Sequence, residues 1–110
     1  NIVTIIDCSD NTYMHLLQRV LIAIVLYQLR NEYYEDISVI FNFLREIMME
    51  IQDSNLKPTV DYFEAKYYLY GEKDKEKALQ YYEKAINGAE FLNDMNFKNR
   101  VIEEKNKDFP

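Results

Sequence analysis

The sequence predicts an all-α chain of about five helices paired as antiparallel hairpins. Two observations carry most of this. Only two glycines and two prolines occur in 110 residues, which leaves few sites for the tight turns that many short strands need. Apolar residues instead recur three and four apart, the helical period. The one β-branched run, NIVTII at 1–6, has no second strand pattern to pair with. An apolar fraction of 48% is that of a folded chain.

The first helix is expected at about 12–31, after an N-cap at Asp10 or Asn11. Met14, Leu17, Leu21, Ile24 and Val25 mark its packing positions. Its run VLIAIVLY at 20–27 lies between Arg19 and Arg30, which bracket only ten residues, too few to cross a bilayer, so a helix buried on most faces is expected. NEYYED breaks the pattern, and Asp36 is placed to cap a second helix over about 37–52. There Ile40, Phe41, Leu44, Ile47, Met48 and Ile51 form the apolar stripe. DSNLKP at 53–58 is the clearest loop, with Pro58 suited to the first turn of a third helix, about 59–70. Gly71 is its expected left-handed C-cap. A fourth helix follows over about 75–92, then a break at Asn93 and Asp94 and a last helix over about 96–107.

The fourth helix carries Ala78, Tyr82 and Ala85, spaced four and then three apart. This is the small–aromatic–small pattern of the second helix of a tetratricopeptide hairpin. Small residues let two helices close together, and the aromatic fills the space beside the next hairpin. Ala65 and Tyr68 supply the matching pair on the third helix. The step from Ala65 to Ala78 is one residue longer than usual, and the extra residue is assigned to the 71–74 turn. The first hairpin, about 12–52, is a weaker copy in which Ala23 serves as the small residue. With the second hairpin at about 58–92 and the terminal helix, one domain spanning 1–110 is expected, a short TPR-like right-handed solenoid. Such stacks need about three or more repeats to bury a continuous core. A fragment beginning at Asn1 is therefore expected to be the C-terminal part of a longer protein, or to associate with a second copy through Phe97, Val101 and Phe109.

Composition excludes several function classes. The net charge is −6, divided as −5 over residues 1–55 and −1 over 56–110. Neither half offers the basic face that phosphate binding requires. Cys8 is the sole cysteine, so no internal disulfide forms, in keeping with a reducing, cytoplasmic setting. His15 is the sole histidine, and its spacing from Cys8 and Asp10 matches no helical metal-ligand pattern, so no metal or other cofactor is expected. No nucleophile elbow or glycine-rich phosphate loop occurs, and neighbouring carboxylates such as Glu72 with Glu76 and Glu103 with Glu104 are interleaved with lysine as on solvated faces. No catalytic residue is assigned, and the chain reads as a non-enzyme. Met48 and Met49 read as core residues rather than a soft groove.

Ten tyrosines are the unusual feature. Tyrosine packs well at half-buried helix interfaces. With Ala65 at the small-residue site, however, Thr59, Tyr62, Lys66 and Tyr70 share one side of the third helix, and the same register adds Tyr27 and Gln28. Such a stripe suits an extended peptide: rings for apolar side chains, hydroxyls for the backbone, Lys66 for an acidic group or C-terminus. Both readings of the tyrosines stay open.

The segment FEAKYYLYGEKDKEKALQYYEKAINGAEFLND followed by a short helix resembles the C-terminal part of Rgg/GadR/MutR transcriptional regulators, the likeness lying mainly in residues 58–107. The resemblance implies a dimerising, TPR-like regulatory domain of a cytoplasmic Gram-positive regulator that senses a short signalling peptide, as in quorum sensing. It implies DNA contact only through an N-terminal helix-turn-helix, which these 110 residues do not contain, and no membrane partner. A generic TPR interaction scaffold and the repeat domain of a Rap-type phosphatase regulator are the alternatives.

Overall fold

A computed structural model describes residues 11–110. Five helices make up the described residues: α1 (Asn11–Arg30), α2 (Ile37–Ile51), α3 (Lys57–Lys66), α4 (Lys75–Phe91) and α5 (Met95–Asp108). The all-α TPR-like class is what the sequence predicts. The first helix begins at Asn11, while Asp10, the alternative cap, and Cys8 lie outside the described residues. The chain divides into two compact units, Asn1–Ser54 and Asn55–Pro110, with the boundary inside the loop expected at 53–58.

In the first unit α1 and α2 pair antiparallel. Met14, near the start of α1, packs with Ile47 and Ile51 at the end of α2, and Leu17, Leu21 and Phe43 close around them. The α2 stripe is buried as expected at Phe41, Leu44, Ile47, Met48 and Ile51. In helix α1 the expected packing positions Met14, Leu17, Leu21 and Val25 are buried or half-buried, but Ile24 is exposed and the helix is not buried on most of its faces. Only Met14, Gln18 and Val25 are buried along it, and Tyr13, Leu16, Val20, Ile24 and Tyr27 are exposed. Ala23 is exposed too, so it is not the small packing residue of this hairpin. A single partner helix covers only one side of α1. The segment Thr12–Arg30 is, by length and composition alone, long and apolar enough to cross a membrane. Met48 is buried, but Met49 is 80% exposed and is no part of the core.

The helix ends are closed by residues other than glycine. Glu32, Gln52, Lys73 and Asn93 all adopt positive φ, near 55–60°. After α4 the Asp94 N–H donates to Ala89 O at 2.9 Å and the Asn93 N–H to Glu90 O at 3.0 Å, the paired bonds of a Schellman motif. After α2 the Asp53 and Gln52 amides repeat this pattern on Met48 and Met49. Gly71 does not take the left-handed conformation expected of it, and Lys73 takes it instead. Asp36 precedes α2 as expected but gives it no side-chain cap, since its own φ of 61° is left-handed. Asp74 and Asp94 do cap: their Oδ1 atoms accept from the Lys77 and Phe97 amides.

The displaced cap has a cause. Helix α3 runs on into a π turn, Tyr67–Gly71, in which the Glu72 N–H donates to Tyr67 O at 3.1 Å, five residues back. A π turn inserts one residue into a helix. The extra residue between Ala65 and Ala78 therefore sits in the helix, not in the 71–74 turn, and the chain reverses two residues later than Gly71.

In the second unit α3 and α4 form the tight hairpin that the alanines predict. Ala65, Ala78, Tyr82, Ala85 and Ala89 are all fully buried. At its open end Gly88 meets Pro58 so closely that an added Cβ would lie 2.9 Å from the proline Cγ. At the turn end Tyr68 stacks on Tyr81, ring centroids 5.2 Å apart. Helix α5 lies across both: Tyr62 meets Phe97 and Lys66 meets Glu104, so α5 runs parallel to α3, whereas Glu83–Lys105 and Glu90–Lys98 make it antiparallel to α4. It therefore occupies the position of the first helix of a following repeat.

Candidate functional site

Helix α3 projects Tyr62, Lys66 and, through the π turn, Tyr70 along one side. The Lys66 Nζ lies 5.7 Å from each of the Tyr62 and Tyr70 ring centroids and 5.8 Å from that of Tyr82. Three of the predicted ligand residues are thus brought together around one ammonium. Thr59 is half-buried one turn before Tyr62. Tyr27 and Gln28 belong to the first unit, where Tyr27 is exposed and the buried Gln28 Oε1 has no hydrogen-bond partner.

Lys66 is not free to receive a ligand's acid. Its Nζ donates to Glu104 Oε1 at 2.8 Å and to Asp108 Oδ2 at 3.0 Å, both on α5. Asp108 also accepts from the Tyr82 hydroxyl through Oδ2 and from the Tyr70 hydroxyl through Oδ1, the latter at 2.6 Å. Its side chain is 5% exposed and that of Lys66 17%. Burial alone would push the Asp108 carboxyl up, but the bonds from Tyr70, Tyr82 and Lys66 outweigh it and hold the group below the usual carboxylate range. Burial would likewise push the Lys66 ammonium down, and its bonds to Glu104, Tyr82 and Asp108 reverse the direction. Burial, then the bond to Asp108, pushes the Tyr82 phenol up against the opposing Lys66. Glu104 is held low by Lys66 and then Lys107. A protonated lysine, two carboxylates and two neutral phenols therefore form a closed cluster at neutral pH.

The residues expected to mediate self-association lie elsewhere than at a free end. Val101 is buried against Ala65, Tyr82, Ala85 and Ile86, and Phe97 and Phe109 are half-buried around the same core. The apolar side of α5 is satisfied within its own chain. Tyr82, expected only as a packing residue, does two jobs, with its ring in the core and its hydroxyl in the Asp108 cluster. Tyr68 packs as expected, on Tyr81.

Beside the cluster a pocket of about 150 Å³ opens between α3 and α5, lined by Tyr62, Phe97, Arg100, Val101, Glu103 and Glu104. Apart from Tyr62, sequence reasoning did not assign these residues to a ligand. No group of histidine, cysteine or carboxylate side chains able to hold a metal occurs among the described residues. His15 is partly exposed, with its Nδ1 3.5 Å from Asp53 Oδ2.

The hairpin with fully buried alanines, the buried repeat tyrosine and the α5 helix in the next-repeat position define a tetratricopeptide-like repeat domain. The chain matches the family described as ComR tetratricopeptide over residues 1–105. It belongs to that family. No curated protein and no solved structure matches it.

Proposed function

We propose that this is the peptide-sensing regulatory domain of a bacterial transcription regulator in the wider Rgg/GadR/MutR group. The family match supports the regulator, and the aromatic face of α3, with an open pocket next to a pre-ordered charge cluster, supports the peptide. Small ligands are held in preformed concave sites that combine apolar walls with a few fixed polar groups, and this pocket sets Tyr62, Phe97 and Val101 beside Arg100, Glu103 and Glu104. Lys66 and Asp108 act as the rigid floor of the face rather than as ligand contacts, and Tyr62 is the residue that meets the peptide. Promoter contact falls to a helix-turn-helix domain of the regulator, and the domain itself catalyses nothing.

The protein works in the cytoplasm as a homodimer on this reading. Support for a partner comes from the stripe Tyr13, Leu16, Val20, Ile24 and Tyr27 exposed along α1. A stripe at this spacing suits another helix better than a bilayer, where Arg19 would cost about 2.5–3.5 kcal/mol at the helix centre. A generic interaction scaffold would share the fold. Titrating the domain calorimetrically with synthetic peptides encoded by small reading frames beside its gene separates the two. One of them binds at a 1:1 ratio if the reading holds, and binding of none of them contradicts it.

A further inference from the structure

We infer that the pocket between α3 and α5 receives one phenyl-sized side chain of a peptide, whose backbone amide is held at the rim by Arg100 and Glu103. The inference rests on the peptide-sensing reading and names the ligand group that this face selects. Three features of the pocket converge on it.

The first is size. An apolar cavity of about 150 Å³ accepts benzene, and this pocket has that volume, with Tyr62, Phe97 and Val101 as its apolar wall and Arg100, Glu103 and Glu104 as its charged side. Its shape supplies the second: the Tyr62 and Phe97 rings meet edge to face, 6.0 Å between centroids and 87° between planes. A third ring entering beside them gains the tilted aromatic contacts that such walls favour, with the buried Val101 beneath.

The third feature is the polarity of the rim. Arg100 and Glu103 lie one helical turn apart on α5, both exposed. Neither is engaged in an ion pair or hydrogen bond among the described residues. Glu104 is different, being already bound to Lys66 and Lys107. A free carboxylate at the rim would gain from Arg100 and lose to Glu103, and an ammonium would do the reverse. A neutral amide satisfies both, its carbonyl accepting from Arg100 and its N–H donating to Glu103. The pocket thus selects an internal aromatic residue rather than a charged peptide end.

The test uses the 110-residue chain, ¹⁵N-labelled, and N-acetyl-phenylalaninamide as probe, with N-acetyl-alaninamide as control. Expected are saturable amide shifts confined to Tyr62 and residues 97–104 for the phenylalanine probe, and none for the control. Arg100→Ala and Glu103→Ala, both at exposed positions that leave the fold intact, should each weaken the probe three- to tenfold. Absence of shifts, equal shifts with the control, or shifts scattered over the chain would overturn the inference. Those outcomes leave peptide sensing standing if a peptide still binds elsewhere on the domain. A pocket that takes the probe in a domain that binds no peptide supports the ring site and contradicts the sensing role.

Discussion

Lys66 illustrates what a side chain's sequence neighbours conceal. Its place on the tyrosine side of α3 follows from helical spacing, but its partners Glu104 and Asp108 come from 38 and 42 residues further on, and no local pattern announces them. The cluster they build sets the pH response of the fold. Asp108 and Glu104 titrate lower in the folded chain than in the unfolded one. Their contribution is therefore complete above the unfolded value of about 4 and is lost as pH falls through the folded value. Tyr82, Tyr62 and Tyr70 titrate higher when folded, so their contribution is complete below about 10 and is lost as pH rises beyond it. Urea midpoints measured against pH should show a plateau between those limits. Asp108→Asn should cost about 1–3 kcal/mol on the plateau, the range for stranding buried polar partners, and should flatten the acid arm. An acid arm unchanged in the variant would show that the carboxylate bears no such role.

Among the helices, the repeat signature was the most legible feature, because steric demand restricts the residue type: only a small side chain fits where α3 and α4 touch. Gly88 belongs to the same logic. Gly88→Ala gains helix propensity of up to about 1 kcal/mol but drives a Cβ to within 2.9 Å of Pro58. A lower melting temperature is expected for it, and an unchanged or higher one for Asn87→Ala on the exposed side of the same turn. The helix ends were less legible. Left-handed caps at Glu32, Gln52 and Lys73 carry none of the usual residue types, so nothing in composition distinguishes them from ordinary surface positions. Lys73→Gly should stabilise the hairpin by about 1 kcal/mol, by removing the Cβ penalty of that conformation. The π turn lies between these cases. Its extra residue could be counted in the sequence, but where it sits depends on which backbone carbonyls find donors. Deleting Leu69 should return the segment to α-helical phase and keep the hairpin's far-ultraviolet signal, while breaking the Tyr70–Asp108 bond. Loss of the hairpin altogether would mean that the π turn is required for folding.

For the molecule as a whole, amphipathicity told which residues are apolar but not which surface each would cover. Phe97, Val101 and Phe109 read as a free end, yet they close the core of their own unit. Helix α1 read as buried on most faces, yet Tyr13, Leu16, Val20, Ile24 and Tyr27 are exposed along one side of it. The association surface proposed for this domain is therefore the exposed side of α1 rather than α5. Leu16→Glu with Val20→Glu should shift a dimer towards monomer in sedimentation velocity, with the helical signal retained. Phe97→Ala should instead lower stability without changing the association state.

The central claim is that the α3–α5 face of this domain senses a peptide. Calorimetric titration with the peptides encoded beside its gene, on the native chain and on Tyr62→Ala, tests it most directly. One peptide should bind the native domain at a 1:1 ratio and lose at least tenfold in affinity on Tyr62→Ala, whose fold is checked by circular dichroism. Equal affinity for both chains, or no binding by any of these peptides, would contradict the account.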